Sequence, residues 1–429
     1  MKQIFFSLLS PLFLYSLDFT VASYNIENLF DFSYSGDEYQ EYIPHTHNWT
    51  KKNFNKKLLN SSEVICDINA DIIGLQEVEN KSVLKLLQKK LRSIGCLYKY
   101  SVITHKSKSA IQVALLSKYP IQASKEIVVD KKRGYRNILE VKFILDNSPI
   151  FIYVNHWKSK ASPESYRILS AKILQRRVKY LPKGSEYILL GDFNSDYDEY
   201  LHISKKHDDS SGKTGINHIL KTINSKGKFN RPKSLNNSFS HYNLWLELEN
   251  YKRWSHNFYG NKQALDTLLL PSTLFDGKGV DYISDSFKVF KKNYLFHKKG
   301  YIFRWEYKKG KHQGRGYSDH LPVVAGFSTV KRYNKINSFI SKASIPELFS
   351  TTPHLPLVLK RVKVISKKRK KVSISQMSSK SSISIYGAKT SLKLGGVYDI
   401  VVYKRKLYNG SYEIIDFEIE KSYDYNQSK

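Results

Sequence analysis

Residues 187–194 read Tyr187-Ile188-Leu189-Leu190-Gly191-Asp192-Phe193-Asn194. A continuous apolar run that breaks into Gly-Asp describes a strand covered on both faces and ending in polar chemistry. Such a strand belongs in a sheet with further layers on either side, which points to an α/β layered sandwich. The same pattern recurs on both sides of it. Phe19-Thr20-Val21-Ala22-Ser23-Tyr24 runs into Asn25-Ile26-Glu27-Asn28, and Ile72-Ile73-Gly74-Leu75 runs into Gln76-Glu77. Ile150–Val154 runs into Asn155-His156, Asp266 heads the strand Leu268-Leu269-Leu270, and Ser318-Asp319-His320 precedes the strand that closes near Ser328. Helical spacing over 51–68, 83–94 and 162–181 alternates with these strands.

From Leu355 onward the pattern turns almost purely β, with short alternating runs separated by turns such as Tyr408-Asn409-Gly410-Ser411. The expected architecture is therefore an α/β layered sandwich over 18–328, a linker over 329–354, and a small all-β barrel of the OB or SH3 type over 355–429. The first residues carry one Lys and then an apolar run from Ile4 to Leu17, too short to span a bilayer; they read as a signal peptide over 1–17, and export to the periplasm or the medium is expected.

Composition limits the function. At 41% hydrophobic and 14% aromatic, 429 residues can bury a core, so disorder throughout is excluded. No apolar run reaches the roughly 20 residues of a membrane span. Two cysteines exclude a disulfide-dense scaffold and a Cys-rich zinc site; in an oxidising compartment Cys66 and Cys96 either pair or stay as buried thiols. The formal charge is +32, from 70 Lys and Arg against 38 Asp and Glu, and residues 331–429 carry 20 basic and 7 acidic side chains. A deficit of acids on this scale favours a polyanionic partner.

Each polar cluster alone is a solvated strand end or a turn. Jointly they place two histidines and several carboxylates where strand ends of a layered sheet converge. The series Asn25-Ile26-Glu27-Asn28, Leu75-Gln76-Glu77, Asn155-His156-Trp157-Lys158-Ser159-Lys160, Gly191-Asp192-Phe193-Asn194, Leu265-Asp266-Thr267 and Ser318-Asp319-His320 resembles the endonuclease/exonuclease/phosphatase superfamily. The likeness covers about residues 19–328 and is strongest to pancreatic-type deoxyribonuclease and bacterial secreted nucleases. The barrel lies outside it.

The resemblance implies a four-layer α/β sandwich of the deoxyribonuclease-like kind and hydrolysis of phosphodiesters. That reaction needs a charge clamp on the phosphate, an activated water and a protonated leaving group. Glu77 is implied as principal ligand of a divalent metal, with Asp319, the Asn25 amide and Glu27 as further oxygen donors; Mg²⁺ is expected, with Mn²⁺ or Ca²⁺ as substitutes. Asp266 is implied to orient His320, Asp192 to position or deprotonate water, and the Asn194 amide and a protonated His156 to donate to phosphate or leaving-group oxygens. His156, where abasic-site enzymes usually carry tyrosine, places the chain beside the two-histidine branch. Arg136, Lys158, Arg304 and Arg315 are the expected substrate contacts. The expected function is a secreted monomeric nuclease of low sequence specificity, acting on duplex DNA and also RNA, without an integral membrane span. Its rivals are a sphingomyelinase-like phospholipase C and an inactive nucleic-acid-binding protein.

Overall fold

Apolar runs rich in Val, Ile and Leu set the strands, and polar caps set the helix ends. The computed structural model describes residues 17–131, 134–235, 239–329, 342–349, 355–368, 371–376, 381–386 and 392–423. The expected signal peptide, Leu17 excepted, lies outside the described residues. In chain order the first part comprises β1 (Asp18–Leu29), α1 (Lys51–Ile68), β2 (Ile72–Val78), α2 (Lys81–Ser93), β3 (Tyr100–Ile103), β4 (Gln112–Ser117), β5 (Ala123–Ile127), β6 (Ile138–Leu145), β7 (Ser148–His156), α3 (Glu164–Lys179), β8 (Glu186–Asp192) and α4 (Glu199–His202). There follow β9 (Tyr242–Asn243), β10 (His256–Phe258), β11 (Asn261–Gln263), β12 (Asp266–Leu270), β13 (Asp281–Tyr282), β14 (Lys288–Val289), β15 (Tyr307–Lys308), β16 (Lys311–His312) and β17 (Val323–Ser328). The C-terminal part holds β18 (Lys342–Ala343), β19 (Leu357–Lys368), β20 (Lys371–Gln376), β21 (Ser382–Tyr386), β22 (Val397–Tyr408) and β23 (Ser411–Tyr423).

Two mixed sheets stack face to face. One has the order β13-β17-β1-β2-β4-β3 with β14 also on β17, and the other β5-β6-β7-β8-β12-β9. Period-two alternation sorts their side chains. Ile188 and Leu190 turn inward to meet Ile72, Val113 and Val154, while Leu189 between them faces α3 and packs with Leu174 and Val178. On the far side of the first sheet, Ile73 and Leu75 pack under Val64 and Ile65 of α1 and Leu87 and Leu91 of α2. Four layers result, as the family resemblance implies. Gly74 permits the close approach of the sheets: a Cβ there would stand 2.4 Å from Leu190. Thr50 caps α1 by accepting from the Asn53 N–H, and Asn80 caps α2 by accepting from Val83 N–H. Cys66 of α1 and Cys96 just beyond α2 form a disulfide.

The C-terminal strands close on themselves. β19 pairs with β20 and β22, β20 with β21, β21 with β23 in parallel, and β23 with β22. The stretch expected as linker is only partly that. Its described residues add β18 alongside β19, and Ile345 and Leu348 are buried in the barrel's own core with Leu357, Val364 and Ile400. Two apolar anchors in a polar, aperiodic stretch leave no sequence rhythm to read. The barrel sits on the sandwich. Arg231 donates to the Tyr403 hydroxyl at 3.1 Å and lies near Glu418 and Glu420, Lys228 lies 3.6 Å from Asp416, and Arg253 donates to the Pro356 carbonyl. No described helix is long and apolar enough to cross a membrane.

Candidate active site

The polar strand ends meet at one end of the sandwich, across both sheets. In the second sheet, Asn155 pairs in register with Gly191, His156 with Asp192, and Asp192 with Asp266. In the first, Asn25 pairs with Gln76, and the ladder slips just beyond them in both β1 and β2. Such a bulge re-aims side chains. Glu27, Asn28, Glu77 and Asn194 all take positive φ, between 47° and 67°. Backbone conformations this costly collect where neighbours over-determine them, as at functional sites. Gly191 has φ 137°, and a Cβ on it would meet the Asn155 carbonyl at 2.0 Å, so only glycine fits between the two strand ends.

Asp192 is the focus. Its Oδ2 accepts from the Asn25 amide at 3.0 Å and the Asn194 amide at 3.3 Å, with His156 Nε2 at 3.6 Å and His320 Nε2 at 3.9 Å. Its Oδ1 accepts from the Asn194 backbone N–H at 2.8 Å. Burial pushes its carboxyl up to about 7, Asp266 adding to the rise and His320 opposing it. His320 Nδ1 is 2.7 Å from Asp266 Oδ2, which also accepts from the Ser255 hydroxyl at 2.6 Å. Burial disfavours the His320 cation, but Asp266 and Asp192 outweigh it and hold the ring protonated well above its ordinary range.

Several of the expected site residues are engaged with one another. Asn25 turns its amide nitrogen to Glu77 (3.1 Å) and Asp192, and its oxygen accepts from the Glu27 N–H, so it bridges the two carboxylates. Glu27 is engaged by the Arg304 guanidinium and the Trp305 N–H. The Asn194 amide donates to Trp157 O and Asp192, holding that carboxylate. Burial, then Arg136 and His320, push His156 well below its ordinary range. Its Nδ1 is buried without a partner.

Glu77 and Asp319 keep their carboxylates partly open, at 17% and 22% side-chain exposure. Glu77 accepts from Asn25 and the Asn28 N–H, and burial, then Asp319, push it up. Arg304 lies 3.3 Å from Asp319. Against the burial that raises it, His320 and Arg304 pull Asp319 down. Burial and Asp319 raise Glu27 to about 7. Carboxylates this crowded are short of positive charge, which is the condition a hard divalent cation relieves. The oxygen donors of Glu77 and Asp319 are of the kind such an ion takes. Two further groups have ligand atoms close enough to share one: His256 with Asp319 and His320, and Asp192 with Asp266 and His320.

Arg136 and Lys158 line a cavity of about 390 Å³ with Tyr39 and Lys108, and Arg136 donates to Trp157 O, the carbonyl that also receives Asn194. Arg315 instead pairs with Glu306 at 2.8 Å and is 61% exposed, apart from the carboxylate cluster's recorded contacts. Ser255, His256 and Lys57 escape sequence reading. His256 is 3.9 Å from Asp319 and rests against the His320 ring at 4.7 Å. Lys57 is fully buried, donates to Tyr317 O, and is pushed down to about 8 by burial, with Glu27 and Asp319 opposing. None of the three sits in an apolar-to-polar strand end, the signal that exposes the others.

A profile of the endonuclease/exonuclease/phosphatase family matches residues 20–328, and the chain belongs to that family. Its members are hydrolytic nucleases or phosphatases, typically dependent on a divalent metal. Among solved structures, D. rerio TDP2 complexed with a single-strand DNA product is 13% identical and is matched over 72% of this chain and 98% of its own, with TM-score 0.46. TDP2 from C. elegans is 16% identical, over 72% and 75%, with TM-score 0.44. A family protein from Leptotrichia buccalis is 14% identical, over 72% and 98%, also at 0.44. No curated protein matches the chain.

Proposed function

We propose that the chain is a divalent-metal-dependent nuclease that hydrolyses phosphodiester bonds in DNA, and in RNA as a second substrate, with little sequence specificity. One observation carries the reading. Nitrogens of Asn25, His156, Asn194 and His320 ring a single oxygen of Asp192, 3.0 to 3.9 Å away. Groups of this kind around one point serve a negatively charged oxygen. Asp192, raised toward neutrality, accepts the proton of the attacking water. His320, kept cationic by Asp266, stabilises charge on the phosphate, and His156 donates through one ring nitrogen. Mg²⁺ held by Glu77 and Asp319 would supply further positive charge against the phosphate oxygens. The Lys108, Arg136 and Lys158 cavity favours an extended polyanion over a lipid headgroup. The Cys66–Cys96 disulfide supports an oxidising compartment and hence export.

The test is digestion of plasmid, single-stranded DNA and sphingomyelin vesicles with Mg²⁺, with and without EDTA. Expected are EDTA-sensitive DNA cleavage, intact vesicles, and a loss of several orders of magnitude in a folded Glu77→Ala variant. Near wild-type DNA cleavage by Glu77→Ala would overturn the assignment of Glu77. Cleavage of sphingomyelin alone would establish the phospholipase instead.

A further inference from the structure

β10 and β11 form a hairpin beside the catalytic histidine. His256 at its base forms an isolated backbone bridge with His320, Leu321 N–H donates to Ser255 O at 2.7 Å, and Ser255 Oγ donates to Asp266. From there a ladder of rings leads outward. His256 lies 4.7 Å from His320, Phe258 lies 6.4 Å from His256 and within 14° of parallel, and Tyr259 meets Phe258 edge-on at 4.7 Å. The ladder ends in solvent, with Phe258 56% and Tyr259 95% exposed. Lysines flank it: Lys262 and Lys291 both lie over the Trp254 ring, at 4.9 and 4.1 Å.

The turn itself is unusual. Tyr259 and Gly260, between the paired Phe258 and Asn261, both take positive φ (47° and 86°). A two-residue turn of this type favours Asn-Gly or Asp-Gly. A tyrosine there holds a strained backbone while its ring contributes no burial. Strain retained at an exposed tip beside a site points to use of that side chain.

We propose that this hairpin is a base-stacking finger, on which Phe258 and Tyr259 receive unpaired bases next to the scissile phosphate of a nucleic-acid strand. The proposal rests on the nuclease reading and adds the substrate form: a strand whose bases are locally unstacked. Aromatic faces stack on any base, which suits low sequence specificity, and the flanking lysines meet the phosphates. The finger also borders a groove of about 880 Å³, where Asn261, Lys262 and Gln263 face Tyr403 and Lys404 of the barrel. Lys262 of the finger thus lines a groove shared with the second domain.

Tyr259→Asn tests this directly, because it suits the turn better than tyrosine and removes only the ring. The full-length protein is titrated, in EDTA so that no cleavage intrudes, with a single-stranded oligonucleotide carrying 2-aminopurine. The wild type should quench the probe. Tyr259→Asn should weaken binding on the order of tenfold and abolish quenching, with an equal or higher Tm, and Tyr259→Trp should restore both. Unchanged affinity and quenching in Tyr259→Asn would overturn the finger. So would a loss of binding to anionic phospholipid vesicles with oligonucleotide binding intact, which would make the tip a membrane contact. Failure of the nuclease reading shows separately, as wild-type protein that stacks the probe in EDTA yet cuts no DNA in Mg²⁺.

Discussion

Asp266 and His320 lie 54 positions apart and act as one unit. Asp266 Oδ2 holds the ring nitrogen at 2.7 Å, and the cation this maintains faces Asp192. His320→Ala should therefore cost a hundredfold or more in turnover, and Asp266→Asn a comparable amount through the same ring. The double variant should lose little beyond the worse single one; fully additive losses in steady-state kinetics would show that the pair does not exist. At the opposite end of β8, Glu186 is buried and accepts the Val280 N–H on both oxygens. Burial pushes it up to about 8, against the Val280 hydrogen bond. A raised native pKa means the folded state holds the proton more tightly than the unfolded chain. This contribution is complete below about 4.5 and is lost as pH climbs through about 8. Glu186→Gln should thus be more stable than wild type at pH 9, on the order of 2 kcal/mol, with the gap closing at pH 5 in urea titrations. At this scale Glu77, His156, Asp192 and His320 are legible in sequence, since each interrupts an apolar run. His256 and Lys57 are not, because only tertiary approach brings a hairpin and a helix face to the carboxylates.

Among the elements, α1 and α2 cover the outer face of the first sheet and are tied to each other by Cys66–Cys96, 30 residues apart. Closing a loop of that length restricts the unfolded chain and is worth roughly 3–4 kcal/mol. A Cys66→Ser, Cys96→Ser protein should lose about that much in guanidinium unfolding, with the active site intact; unchanged stability would leave the bond without structural weight. Strand positions with Val, Ile and Leu runs follow the sequence closely. The short hairpins do not. Ser255–Gln263 has neither a two-residue rhythm nor an Asn-Gly turn, and its pairing is settled by the backbone bridge to His320.

For the whole molecule, the charge is divided by sign at the domain contact. Asp416, Glu418 and Glu420 of β23 face Lys228 and Arg231 of the sandwich, while Lys404 looks into the groove. The barrel is thus both docked and basic. A chain ending at Thr329, before the buried anchors Ile345 and Leu348, should keep its turnover on short oligonucleotides. It should lose affinity for long DNA, with a salt slope shallower by about three to five units, since each phosphate contact contributes roughly 0.7–0.9. A Tm lower by a few degrees is expected as well. Equal salt slopes with only the Tm changed would reduce the barrel to a prop for the sandwich.

The sequence by itself determined the layers and most of the site. Burial on both faces demands continuous apolar strands, and each polar residue that ends such a run must reach the rim of the sheet, where Glu77, His156 and Asp192 stand. It also determined the barrel, through alternation between turns. Tertiary structure alone decided which atoms these residues offer. The bulges after Asn25 and Gln76 turn Glu27 onto Arg304 and Asn25 onto two carboxylates, and the depth of His156 disfavours its cation. Side-chain direction and protonation depend on register, burial and neighbours distant in the chain, none of which a local pattern of residue types contains.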